Sequence, residues 1–152
     1  MTTKALKPPV SNLYDQDFAA WTHETARLLR QRRFEEIDIE HAAEELEDMG
    51  ASQKHEVHSR LRVLTIHLLK WKYQSQKRSR SWHSTIATQR AELDDVFGRS
   101  PSLRGNLSRS VAEVYSRSVE LASIETGLPE DTFPHECPFT AEQIMDRGFL
   151  PD

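Results

Sequence analysis

The sequence is poor in the residues that make turns and cross-links: 5 glycines, 7 prolines and one cysteine in 152 residues. So few glycines and prolines exclude a β-sandwich or barrel built on frequent tight turns. No segment alternates apolar and polar residues for long enough to form a strand. No apolar run approaches the roughly 20 residues of a membrane-spanning helix. Met1–Asn12 has no apolar core of the kind a signal peptide carries. The single Cys137 cannot form an internal disulfide, so a reducing cytoplasm is the expected setting.

What remains is 37% hydrophobic and 29% charged, a balance that suits a helical bundle with much solvated surface. The length fits one domain with one core. The net charge of −4 hides an uneven distribution. Residues 35–48 hold 8 acids and no Lys or Arg, whereas residues 54–90 hold 9 bases and one acid, Glu56. Such blocks either pair across a helix interface, stay solvated, or face a partner.

Apolar spacing predicts an all-α, single-domain bundle of five main helices plus a short carboxy-terminal one. Residues 1–13 read as a flexible tail and residues 14–152 as the helical domain. A first helix is expected from a cap at Asp15, with Phe18, Trp21, Thr25, Leu28 and Leu29 on one face. A second is expected from Asp38 to Met49, stopped by Gly50, with Ile39, Ala42, Ala43, Leu46 and Met49 facing inward and Glu44 outward. The third, Ser52 to Tyr73, carries two apolar stripes, Val57-Leu61-Leu64-Leu68-Trp71 and Val63-Ile66-Leu69-Tyr73. A helix apolar on two sides belongs between neighbours, so it should be central. A fourth helix is expected from Ser79 or Ser81 to Gly98, and a fifth from Pro101 to Thr126, stopped by Gly127. A capping box at Thr140 and Gln143 opens the sixth.

Several runs resemble a known family as a set: Ala43-Glu44-Glu45-Leu46-Glu47-Asp48-Met49-Gly50, His67-Leu68-Leu69-Lys70-Trp71, Arg78-Ser79-Arg80-Ser81-Trp82, Arg90, Ser100-Pro101-Ser102-Leu103, Glu125-Thr126-Gly127-Leu128-Pro129 and Phe133-Pro134-x-x-Cys137-Pro138. Together, over Tyr14 to Pro151, the chain is similar to the bacterial domain of unknown function 29. Ser75-Gln76 departs from the pattern, where a proline is expected after the Tyr-Gln step. The resemblance implies a compact all-helical fold and carries no reaction, cofactor or substrate with it.

Four constellations bear on chemistry. Glu125 projects from the apolar stripe of its helix, in the last turn, where the helix dipole disfavours an anion. Its expected partners are Arg90 first, then Lys70 or His67, with Glu45 as a second acid; the cluster reads either as a buried ion network or as an acid–base site. His41 with Glu44, and His55 with His58, have helical spacing, but they lack the inward Glu-x-x-His pattern of di-metal bundles, so no metal and no cofactor are expected. Lys70 to Trp82 has five bases, three aromatics and no acid, which makes Lys72, Lys77, Arg78 and Arg80 a candidate basic surface. Cys137 beside His135 and Glu136 does not make a nucleophile–base pair, because chain neighbours seldom face each other.

The leading expectation is therefore a cytoplasmic protein-interaction or regulatory module without catalysis. Its partner would be an unknown protein or a second copy in a homodimer, and no membrane contact is expected. The alternative is a small enzyme or ligand-binding protein using Glu125, His67 and Arg90. The third reading is a nucleic-acid-binding accessory protein, which the acidic whole argues against.

Overall fold

A computed structural model of the chain describes residues 10–152. Most of the expected tail, residues 1–9, lies outside the described residues, whereas Val10–Leu13 belong to a helix. Among the described residues the structure is all α, with seven helices and no strand. The helices are α1 (Val10–Gln16), α2 (Phe18–Arg30), α3 (Ile39–Tyr73), α4 (Arg80–Arg99), α5 (Pro101–Gly105), α6 (Leu107–Thr126) and α7 (Ala141–Met145). Single turns of 3-10 helix fall at Phe34–Glu36, Ser75–Lys77 and Glu130–Thr132. No helix among the described residues is long and apolar enough to cross a membrane. The described residues divide into two compact units, 10–51 and 52–152.

In the first unit Asp17, rather than Asp15, caps α2 by accepting from the Ala20 amide at 3.0 Å. Trp21, Thr25 and Leu28 are buried, as their spacing requires, and Glu24 is buried with them. Phe18 and Leu29, expected on the same face, are exposed. Asp38 opens α3: its backbone carbonyl takes the Ala42 amide at 3.1 Å and a side-chain oxygen sits 3.4 Å from the His41 amide.

The expected stop at Gly50 does not occur. α3 runs unbroken for 35 residues. Glycine in a helix interior costs only about 1 kcal/mol relative to alanine, less than several flanking turns of good helix formers supply. No heavy atom lies within 4 Å of where a Gly50 Cβ would stand, so the glycine meets no packing need. The expected inner face of this segment is also corrected: Ile39, Ala43, Leu46 and Met49 are exposed.

In the second unit the two-sided burial of residues 52–73 is observed. Val57, Leu61, Leu64 and Leu68 are buried on one side and Ile66 and Leu69 on the other, with Trp71 and Tyr73 packed against the core at partial burial. α4 is capped by Ser79, which accepts from the Trp82 amide, and contributes Ile86, Leu93, Val96 and Phe97 to the core. The expected fifth helix is split: α5 ends on Gly105 and only Asn106 separates it from α6, two weak helix formers in succession at the break. α6 buries Leu107, Val111, Val114, Tyr115 and Ala122. Ser118 is buried in that stripe with its hydroxyl satisfied, donating to the Val114 carbonyl at 2.8 Å. Gly127, at φ +72°, ends α6 in the left-handed conformation that glycine tolerates. The Thr140–Gln143 capping box opens α7 in both directions.

Candidate functional site

The polar residues singled out by sequence separate into distinct arrangements. In the second unit, the Lys70 ammonium lies 2.8 Å from a Glu125 carboxylate oxygen and 4.6 Å from the centre of the Trp82 ring. The Lys70 side chain is only 11% exposed, while that of Glu125 is 45% exposed. Glu125 is thus a rim residue holding a buried cation, not an acid sunk in the core. Lys70 also supplies positive charge to the last turn of α6, where the dipole favours it. Gln74, buried beside it in sequence register, donates to the Thr126 carbonyl at 3.1 Å.

Arg90, expected to be the first partner of Glu125, does something else. It is 2% exposed, and its guanidinium donates to the Ile144 carbonyl at 2.7 Å and the Gln143 carbonyl at 3.2 Å. These belong to the end of α7, where carbonyls run short of intrahelical donors and attract cations; the Gln143 carbonyl also takes the Asp146 amide at 3.3 Å. Burial pulls the Arg90 pKa down from its ordinary value, and the Asp146 charge opposes this.

His67 spends one ring nitrogen on its own helix, 2.8 Å from the Val63 carbonyl. That assigns the proton to Nδ1. Burial is the main cause lowering its pKa, followed in the same direction by the Lys70 charge. His67 and Glu125 therefore make no shared acid–base bond: the two are each committed to another group. Glu45, the expected second acid, lies in the first unit and accepts a hydrogen bond from the Tyr14 hydroxyl at 2.6 Å.

Tyr14 is the hub of that first unit, a role its sequence position did not signal. Its ring stacks on His41 at 3.8 Å and meets Trp21 edge-on at 4.9 Å. The bond to Glu45 is the leading cause that pushes its hydroxyl up to about 12. His41 pairs with Asp38 at 2.6 Å, which raises the imidazole and lowers the carboxyl. Among the described residues no three of His, Cys, Asp and Glu converge as a metal site.

The candidate basic surface is exposed at Lys72, Lys77, Arg78 and Arg80. Arg78 is also structural: it donates to the Trp71 carbonyl at 2.8 Å and the Pro151 carbonyl at 3.1 Å, and lies 5.3 Å from the Trp71 ring centre. Trp71, Tyr73 and Trp82 are half-buried. Elsewhere in this unit a groove of about 460 Å³ is lined by Val111, Tyr115, His135, Cys137 and Phe139 among others. Burial raises the Cys137 thiol pKa, which keeps it protonated and a poor nucleophile.

The first turns of α3 present a different kind of feature. Ile39, Leu46 and Met49 are 59%, 68% and 67% exposed. With Ala43 and Gly50 they form a ridge down one side of the helix. At about 100° per residue, Glu40 and Glu47 stand roughly 80–100° round from that ridge, and Glu44 and Asp48 follow behind them. All four are exposed, and none forms an ion pair with a lysine or arginine among the described residues. Periodicity identified the ridge correctly but gave it a covering that the structure does not supply. The signal that could have separated the two cases was charge: a core face seldom has acids packed so densely beside it without a compensating base.

No curated protein and no solved structure matches the chain. The family model of Domain of unknown function DUF29 matches residues 13–150, nearly the whole chain, and the chain belongs to that family.

Proposed function

We propose that this protein is a protein-interaction module and that the ridge Ile39-Ala43-Leu46-Met49 on α3 is its docking face. The observation that carries the reading is the exposure of three large apolar side chains in register on a regular helix. Exposed apolar side chains scattered singly need no explanation, but an aligned set beside a charged rim is the pattern of a protein contact. Fully burying Ile, Leu or Met contributes about 1.5–3 kcal/mol each, and with about two-thirds of each still open the three offer roughly 3–6 kcal/mol. Association costs about 4–15 kcal/mol in lost freedom, so this ridge alone sustains only weak binding and charge must add to it. The work of the module is binding rather than catalysis. Glu125, His67 and Arg90, the residues of the enzyme alternative, are occupied with structural partners.

The test is a photo-crosslinking amino acid placed at Leu46, at Met49, and at Ile124 as an exposed apolar control in the second unit. Defined protein adducts in living cells at Leu46 and Met49, and none at Ile124, are the expected result. Absence of adducts at all three positions would end the reading.

A further inference from the structure

Resting on the interaction reading above, we infer that the occupant of the α3 face is a basic amphipathic helix of another protein, not a second copy of this chain. Charge decides the matter. Residues 34–53 contain no Lys or Arg, and Glu40 and Glu47 are exposed on the flank of the ridge, with Glu44 and Asp48 exposed farther round the helix. A partner helix with Lys or Arg flanking its apolar stripe would place cations over the Glu40 and Glu47 carboxylates. A second copy brought face to face would add the same acids and no base, and like charges brought together oppose docking. An anionic lipid surface is repelled for the same reason.

Shape supports a helix in particular. The ridge repeats at intervals of three and four residues and runs straight through Gly50 because α3 does not break there. Ala43 stands between Ile39 and Leu46, Gly50 follows Met49 on the same side, and nothing lies within 4 Å of where a Gly50 Cβ would stand. Low points between knobs let a second helix axis come close and seat its own apolar side chains. Ile39 to Gly50 spans about 18 Å at 1.5 Å per residue, the length of roughly three turns of partner.

The experiment uses the full chain, isotope-labelled for amide NMR, and two designed 18-residue helical peptides. Both carry leucine at the docking spacing; one has lysine on its flanks and the other glutamate. The lysine peptide is expected to bind and to shift the amides of residues 39–51. Leu46→Glu, and separately Glu40→Lys with Glu47→Lys, should each weaken it by about tenfold or more, with unchanged melting curves. Raising salt from about 50 to about 500 mM should weaken it several-fold, since exposed charges are screened over about 8 Å at 0.15 M. The glutamate peptide should not bind. Equal binding of both peptides, or shifts confined to residues beyond 52, would overturn the inference. Light scattering on the purified chain separates the two levels. If the lysine peptide fails and the chain is a dimer that Leu46→Glu makes monomeric, the heterologous partner is overturned while the interaction reading survives. If it fails, the chain is monomeric and the Leu46 crosslinker captures nothing, both fall together.

Discussion

Arg90→Met removes the guanidinium but keeps most of the apolar stem. In the native protein that group is 2% exposed and holds two carbonyls at the end of α7. Hydrogen bonds to a charged donor contribute about 1.5–3 kcal/mol each, the 3.2 Å bond falling toward the lower end, and the variant leaves the Ile144 carbonyl without a donor and the Gln143 carbonyl with only the Asp146 amide at 3.3 Å. Against this, a buried cation carries a desolvation cost that the variant relieves, and the lowered Arg90 pKa shows that this cost is present. The balance is a loss of about 2–4 kcal/mol. For a chain of this size, 1 kcal/mol moves the melting temperature by about 2–4 °C, so the expected fall is roughly 4–16 °C. Arg90→Lys keeps the charge without the planar fork and should lose about half as much, because one ammonium serves two diverging carbonyls poorly. Urea melts and amide exchange at residues 141–146 are the assays, with exchange there expected to rise before the rest of the chain unfolds. Wild-type stability together with unchanged exchange in Arg90→Met would refute the assignment of Arg90 as the anchor of α7.

Glu125→Gln should lower stability by about 1 kcal/mol, since its half-exposed carboxylate neutralises a nearly buried Lys70, whereas Glu44→Gln should stay within about 0.5 kcal/mol of wild type; equal effects would refute the pairing. Gly50→Ala should stabilise the chain by about 0.5–1 kcal/mol in a thermal melt, because the position is helical and a Cβ there meets nothing. His41 should titrate above an ordinary histidine in an imidazole NMR titration, and Asp38→Asn should bring it down. Because its folded pKa is raised, the stability it contributes is fully present below the unfolded value of about 6.5 and is lost as pH rises through the folded value.

The sequence pattern made most of the second unit legible because local rules and burial agree there. Ser79, Thr140 with Gln143, and Gly127 are caps whose chemistry works within a few residues of chain, so spacing alone reveals them. The two stripes of residues 52–73 are likewise a local record of a two-sided environment. The misplacements have a common physical origin in choices that spacing does not encode. Asp15 and Asp17 have the same capping chemistry, and only Asp17 stands at a real helix start. Gly50 is a stop signal in isolation, yet the helix on either side outweighs it. Periodicity tells which residues share a face, not whether anything covers it, so the exposure of Leu46 and Met49 is not written in their spacing. Arg90 looked for a carboxylate because side-chain charges are visible in a sequence, whereas its acceptors are backbone carbonyls 53 and 54 residues further on, which any residue could have supplied.

The polar bonds that close the second unit span long stretches of chain: Gln74 to Thr126, Arg90 to Ile144, Lys70 to Glu125 and Arg78 to Pro151, separated by 52, 54, 55 and 73 residues. During synthesis at about 5–20 residues per second, Arg78 waits roughly 4–15 s for Pro151 to be made. Through that interval the carboxy-terminal half of α3 has already been translated, with apolar stripes on two sides and its later neighbours unfinished. The nascent chain thus passes through a window in which a segment apolar on two sides has neither side covered, and any factor that shields hydrophobic segments at the ribosome would find its binding site in residues 57–73.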